Sequence, residues 1–358
     1  AAIERAPEDA ALIRVLGEAV ADTAPERAAS LWQRLVRLDP GDHVARHRLG
    51  KALLVGGDAA AARIARAAAA ARDADDAGVM RDLGHACLAL GDLANARTAL
   101  QSARRLGPDD ASTWALSAQL AEREARWPEA LDDWAEAARL APGEAGHAQA
   151  LGALRLARGD AAGAVEALGA AMRLAPGDPA VLEAAAAALA AAGDHAAAAT
   201  AYERAMALGA GSTGVVLGLA RARLALGDGR GACAVLEPAL AGSPGAPELL
   251  MAMAEARMAA GERAEALASA ERAALAAPSS PTARRILAAA RRANGDLIGA
   301  RSAVAKALAL GTADPATLVL RAELAEADGD PEAARAAWRE AVVASPHDAA
   351  TAVAWGER

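Results

Sequence analysis

Residues 159–178 read GDAAGAVEALGAAMRLAPGD. Gly159 is the residue type that ends a helix in the left-handed conformation, since it has no Cβ to clash. Asp160 beside it is a helix N-cap, able to accept hydrogen bonds from the unpaired N–H groups of the turn that follows. The residues after it are strong helix formers. Ala164 and Ala171 lie two helical turns apart on one face and line a seam against which another helix can pack. Pro176 then stops the helix before another begins. The stretch is therefore the turn and second helix of a helical hairpin.

The same marks recur along the whole chain of 358 residues with a period of 34. Gly-Asp pairs stand at Gly57-Asp58, Gly91-Asp92, Gly193-Asp194, Gly227-Asp228, Gly295-Asp296 and Gly329-Asp330, with Gly261-Glu262 a near match. The gaps in the series fall at Thr23-Ala24 and Ala125-Arg126. Alanine keeps the register at Ala28, Ala62, Ala96, Ala130, Ala198, Ala232, Ala266, Ala300 and Ala334. The second seam alanine returns at Ala69, Ala103, Ala137, Ala205, Ala239, Ala273, Ala307 and Ala341, with Leu35 the exception. Proline returns at Pro40, Pro108, Pro142, Pro244, Pro278 and Pro346. Pro25 and Pro331 stand just after the cap position, where proline costs least. Three residue types in one register over this length define a repeat architecture.

Composition agrees. Apolar residues make up 54%, yet aromatics are 2% and Phe is absent, so the apolar content is mostly alanine, which suits thin, closely packed helix pairs better than a large-cored enzyme. The net charge of -8 gives nucleic-acid binding no global electrostatic support. Lys51 and Lys306 are the two lysines against many arginines, which with the alanine content points to a GC-rich bacterial genome. Cys87 and Cys233 are far apart and have no metal-ligand spacing; each reads as a small core residue, and the pair fits a reducing compartment. There is no charge-free run long enough to span a bilayer, and because the sequence starts without Met, targeting is not read from it. The compartment, a bacterial cytoplasm or periplasm, is left open.

On these marks the chain resembles the tetratricopeptide repeat family, whose units are 34-residue helix-turn-helix hairpins. The small residue that the family carries on its first helix is Gly50, Gly84, Ala118, Gly152, Ala186, Ala220, Ala254, Ala288 and Ala322. The large residue before it is Leu49, Leu83, Leu151, Leu219 or Leu287. The bulky residue of the second helix is Trp32, Leu100, Trp134, Leu168, Tyr202, Leu236, Val304 or Trp338, and Trp127 matches the aromatic that opens that helix. In family register the ten units are 9–42, 43–76, 77–110, 111–144, 145–178, 179–212, 213–246, 247–280, 281–314 and 315–348. The resemblance implies an all-α fold, a right-handed superhelix (solenoid) of about ten such repeats. Residues 1–8 read as the end of a preceding repeat, and 349–358, where Trp355-Gly356 repeats the large-small pair, as the start of a further repeat or a C-terminal helix. The expectation is a segment of a longer protein, or atypical caps.

Several departures carry expectations. Leu16-Gly17 shifts the first opening helix by one residue. Arg46 and Arg66 fall at core-type positions, and Ala270 thins the packing of 247–280. Pro238 lies inside a second helix after the weak start Gly229-Arg230-Gly231, which predicts a local distortion.

Stacked hairpins with a fixed rotation form a concave groove, which in the family is lined by the first helices. The residues placed there are His47, Lys51, Arg81, His85, Gln119, Glu122, Gln149, Leu217, Arg221, Leu224, Met251, Glu255, Met258, Arg285, Arg292, Glu323 and Glu326. The groove is thus expected to be basic in 43–110, apolar in 213–280 and acidic in 315–348. The basic cluster of His47, Arg48, Lys51, Arg81 and His85 reads either as an anion site for an acidic peptide segment or a glycan phosphate, or as a solvated face balanced by Asp58, Asp75, Asp76 and Asp82. Met251, Met253 and Met258 read as core or rim, or as an adaptable binding surface. Trp114 and Trp134 are expected to pack within one unit.

No catalytic, cofactor or metal motif is present: no G-x-S-x-G, no P-loop, no H-E-x-x-H. Asp73-Ala74-Asp75-Asp76 lacks the Gly and distal Glu of a calcium loop. His43 and His47 share a helix face but have no third ligand. Asn95 and Asn294 lie off the groove positions used by chaperone-tail clamps, and there is no asparagine ladder like that of glycosyltransferase-linked arrays. The reading is a non-catalytic scaffold that binds a protein or peptide in its groove. Its alternative is a segment of a larger bacterial enzyme or export machine, such as a glycosyl- or sulfotransferase or a polysaccharide-secretion subunit. Self-assembly through the exposed ends is a third, weaker idea.

Overall fold

The computed structural model describes residues 9–71, 75–311 and 314–344. Expectations for Ala1 to Pro7, Asp73, Ala74, Pro346 and Trp355-Gly356 lie outside them. The chain divides into two compact units, Ala1–Ala175 and Pro176–Arg358.

In the first unit the helices are α1 (Ala10–Ala19), α2 (Pro25–Leu38), α3 (His43–Val55), α4 (Ala59–Ala70), α5 (Ala77–Ala89), α6 (Leu93–Leu106), α7 (Ala111–Arg123), α8 (Trp127–Leu140), α9 (Ala145–Ala157) and α10 (Ala161–Leu174). In the second they are α11 (Pro179–Ala191), α12 (His195–Ala207), α13 (Thr213–Ala225), α14 (Gly229–Gly242), α15 (Pro247–Ala260), α16 (Arg263–Ala276), α17 (Pro281–Ala293), α18 (Leu297–Leu310), α19 (Pro315–Ala327) and α20 (Pro331–Ala344). Each odd-numbered helix pairs with the next to make a hairpin. Odd helices also touch along the stack, α3–α5–α7 in the first unit and α11 through α19 in the second. Each unit is all-α, with its core laid between successive hairpins.

The local chemistry accounts for this order. The turn glycines, from Gly57 at φ +87° to Gly329 at +73°, are left-handed, and Ala125, in the gap of the series, is held in the same conformation at φ +56°. The fold thus imposes the turn even where the sequence lacks glycine, at a cost of about 1 kcal/mol. Asp58, Asp92, Asp160, Asp194, Asp228, Asp296 and Asp330 each accept an N–H from the first turn of the next helix. Ala24, Arg126 and Glu262, which replace the aspartate, make no side-chain cap.

The seam alanines other than Ala239 are buried, Ala28, Ala96, Ala130 and Ala164 completely. The bulky residues Trp32, Leu100, Trp134, Leu168, Tyr202, Leu236, Val304 and Trp338 are buried too, each contributing about 1.5–3 kcal/mol of apolar burial. Small residues opposite them are required by space. A Cβ on Gly84 would stand 2.6 Å from Leu100 Cγ, and one on Gly17 would stand 2.8 Å from Trp32 Cε2. The one-residue shift of the first hairpin therefore keeps the same small-against-bulky contact.

Two expectations need correction. Arg66 is in the core at 2% exposure, but Arg46 is not: it is half-buried and its guanidinium reaches out to the Pro40 carbonyl. A helix surface lets a long side chain leave the core position and find a backbone acceptor. The distortion expected at Pro238 does not interrupt the helix, since α14 runs from Gly229 to Gly242 with Pro238 exposed. Ala234, whose carbonyl loses its partner N–H, is an exposed residue. The local mark is Ala239, half-buried where the other described alanines of its series are buried. Gly229 is not a weak start either. A Cβ there would meet the Ala260 backbone nitrogen at 2.5 Å, so only glycine lets α14 approach the end of α15 this closely. Ala270 is fully buried, in one cluster with Ala254, Ile286 and Leu287.

Candidate functional site

The residues assigned to the groove do lie on odd-numbered helices, and the structure separates them by what they already hold. Lys51, His85, Gln119, Arg221, Arg292 and Glu326 are exposed. His47, Arg81, Glu122, Gln149, Leu224, Met251, Glu255, Met258, Arg285 and Glu323 are half-buried, and Leu217 is buried. The apolar members are spent on the core. Leu224 packs on the cluster that contains Leu217, and Met251 and Met258 on the cluster of Ile286 and Leu287. Met253 is a core residue at 1% exposure.

The charged members are mostly paired along the stack. Arg81 reaches Asp110, the N-cap of α7, at 3.0 Å, and Arg285 approaches Asp314, the N-cap of α19, at 3.9 Å. Arg14 repeats this in the shifted first hairpin, 2.6 Å from Asp42, the N-cap of α3. These arginines tie one first helix to the start of the next. Arg285 also approaches Glu255 at 3.6 Å, and Arg292 holds Glu323 at 3.0 Å. Glu326 accepts the Trp338 indole N–H at 2.9 Å, and Glu122 accepts that of Trp134 at the same register. A buried indole needs such an acceptor. This role was readable in the sequence only by comparing the two hairpins that carry both Glu and Trp.

The basic cluster is neutralised in part, by Asp82 of the expected acids together with Asp110 and Glu18. Asp58 and Asp76 cap helices. Asp82 is the hub: His47 lies 3.3 Å from it, Arg81 3.1 Å and the buried Arg66 3.9 Å. Arg66 also donates to the Asp82 carbonyl, while its Nε and His47 Nδ1 have no partner. Burial lowers the His47 pKa, opposed by Asp82 and reinforced by Arg66 and Arg48. His85 is lowered by desolvation and by Arg66. Arg48 is 3.8 Å from Glu18. Lys51 remains exposed with no hydrogen bond or ion pair among the described residues. It sits between two clefts. One, of about 450 Å³, is shared by α3 and α5 and lined by His47, Arg48, Arg81 and Asp82. The other, of about 300 Å³, is lined by Glu18, Trp32 and Arg48.

Trp114 and Trp134 join one cluster as expected, with Arg104 stacked 3.7 Å over the Trp114 ring. Trp127 opens α8 and faces Arg158. Both cysteines are buried. Among the described residues there is no group of three or more potential metal ligands, and no helix long and apolar enough to cross a membrane.

Stacked antiparallel hairpins of this period, with a small-against-bulky seam and left-handed turns, define a helical-repeat protein-interaction scaffold. Residues 77–120 and 223–290 match the tetratricopeptide repeat family. Both matched segments are tetratricopeptide repeats, and the helical hairpin they share recurs through the described residues. No curated protein sequence matches it. Among solved structures, a tetratricopeptide repeat protein from Parabacteroides merdae is 16% identical over 68% of this chain and 96% of its own, with a TM-score of 0.53. The Cut9-Hcn1 hetero-tetramer structure of the APC/C is 13% identical over 98% of this chain and 96% of that one, at 0.51. The pilF protein of Pseudomonas aeruginosa is 20% identical over 58% and 94%, at 0.50. At these identities the likeness is one of fold.

Proposed function

We propose that this chain is a non-catalytic scaffold of ten hairpins, in the register 9–42 to 315–348, that holds an extended peptide or a partner helix against the face formed by its first helices. Tetratricopeptide repeats build protein-interaction scaffolds and are in general not catalytic; the choice of face is our reading. The observation that carries it is Lys51. It is exposed and, among the described residues, unpaired between two clefts, whereas the neighbouring cations are held by Asp82, Asp110 and Glu18. An acidic side chain of a partner gains most where the cation facing it has no acid of its own. Gln119 and Arg221, also exposed and without a hydrogen bond or ion pair among the described residues, offer further polar contacts on first helices.

The test is a titration of a glutamate-rich peptide against the wild type and Lys51→Glu. Reversal is expected to weaken binding about fivefold at low salt, with the difference shrinking as salt rises. Equal affinity would remove Lys51 and the acidic partner from the reading. Arg81 is unsuited to this test, because its reversal also cuts the tie to Asp110.

A further inference from the structure

One cleft recurs at the same register in both compact units and is filled differently in each. In the first unit it lies between α6, α7 and the start of α8, walled by Arg97, Leu100, Gln101, Arg104 and Leu120. In the second it lies between α18, α19 and the start of α20, walled by Arg301, Val304, Ala305, Leu308 and Leu324. Each of the second set stands six 34-residue periods after its counterpart. The rim ion pair is repeated as well, Arg97 with Glu124 and Arg301 with Asp328.

The filling differs. In the first unit Arg104 occupies the cleft, 3.2 Å from the buried Asp133 and stacked on Trp114, and a cavity of about 80 Å³ is left. In the second, Leu308 stands for Arg104, Ala305 for Gln101 and Ala337 for Asp133. The polar plug is gone, and a cavity of about 320 Å³ with a floor of Val304, Leu308 and Leu324 is open in its place. That volume is at the small end of ligand cavities. The cations at its rim are already matched: Arg301 holds Asp328, and Arg321 holds Glu340 at 2.6 Å. An anionic occupant would lose its hydration and find no unmatched cation, and the rim carboxylate of Asp330 already caps α20. A neutral apolar group has no such cost and would bury the floor.

We propose that this cavity is an anchor site for one neutral apolar side chain of indole size, presented by a partner protein. A single large side chain in a desolvated pocket is the usual form of an interaction hot spot. The site rests on the chain's being a protein-interaction scaffold, but it uses none of the groove residues.

The experiment is a titration with N-acetyltryptophanamide, followed by the methyl NMR signals of Val304, Leu308 and Leu324. Saturable shifts of these methyls are expected in the wild type. Leu308→Arg, which restores the residue of the plugged cleft, is expected to weaken binding at least tenfold. Ala305→Phe changes an exposed residue at the mouth and should do the same with the helix content unchanged. Lys51→Glu should leave this titration untouched, so the two sites fail separately. Absence of shifts in the wild type, or affinity unmoved by both variants, overturns the proposal. Binding that emerges only after Trp355→Ala overturns it in favour of the chain's own tail. Binding that emerges only on dilution overturns it in favour of a second copy.

Discussion

Arg66 shows how one residue sets the electrostatics of a whole hairpin. It stands at the register of Leu100 in the next hairpin and Leu168 three hairpins on, and it is as buried as they are, so its charge sits in the core. Burial lowers its pKa and Asp82 opposes that shift. The same charge helps to keep His47 and His85 neutral. Both histidines therefore protonate in the fold only below their ordinary pKa of 6.5. The unfolded chain takes up those protons at that pH, so it binds more protons than the fold just beneath it. The stability these groups allow is intact above pH 6.5 and is lost as the pH falls through that value toward the folded pKa. Arg66→Leu installs the residue that Leu100 and Leu168 keep at this register. It should move both histidine pKa values part of the way back toward 6.5, read by NMR titration of the ring protons. The shift is partial because desolvation remains the larger cause. Unmoved histidines would assign the whole shift to burial.

At the scale of the element, α14 tests how far an array tolerates a bad helix. Pro238 removes one backbone donor, yet the helix is unbroken, because Leu236 and the seam residue Ala232 are fully buried on the opposite side and hold it down. Pro238→Ala should restore the missing hydrogen bond and stabilise the protein by roughly 1–3 kcal/mol. The check is the urea midpoint, together with a new protected amide at 238. A loss of stability would mean that the proline preorganises this helix. The sequence made the elements legible because caps, turns and seams are local chemistry, written within one hairpin. Asp160, Gly159 and Ala164 each mean the same thing wherever they recur. How far Pro238 distorts its helix was not legible for the complementary reason, since what a proline does to a helix depends on what the other face is packed against.

At the scale of the molecule, the sequence placed its groove candidates on the first helices but did not say which of them stay free. Which of these side chains stay free depends on partners in the adjacent hairpin, as with Arg81 and Asp110, or across the hairpin, as with Glu326 and Trp338. Such pairings are set by packing, and no short-range pattern announces them. Packing is also where an array differs from a globule, since each hairpin touches chiefly its neighbours. Gly229 is the sharpest place to see this. Its Cα lies against the backbone of Ala259 and Ala260, and there is no flexible side chain that could move aside. Gly229→Val forces α14 off α15 and should expose the surfaces shared by α13, α14, α15 and α16. Overpacking of this kind costs typically 1–3 kcal/mol or more. Measured by hydrogen exchange, amides of those four helices should exchange faster while those of α18, α19 and α20 keep their protection. The repeat argument requires this confinement, because the damaged contact has no direct line to the far hairpins of the same unit. Equal loss of protection throughout Pro179–Ala344 would show instead that the second unit opens as one cooperative body, with its stability shared between all its hairpins.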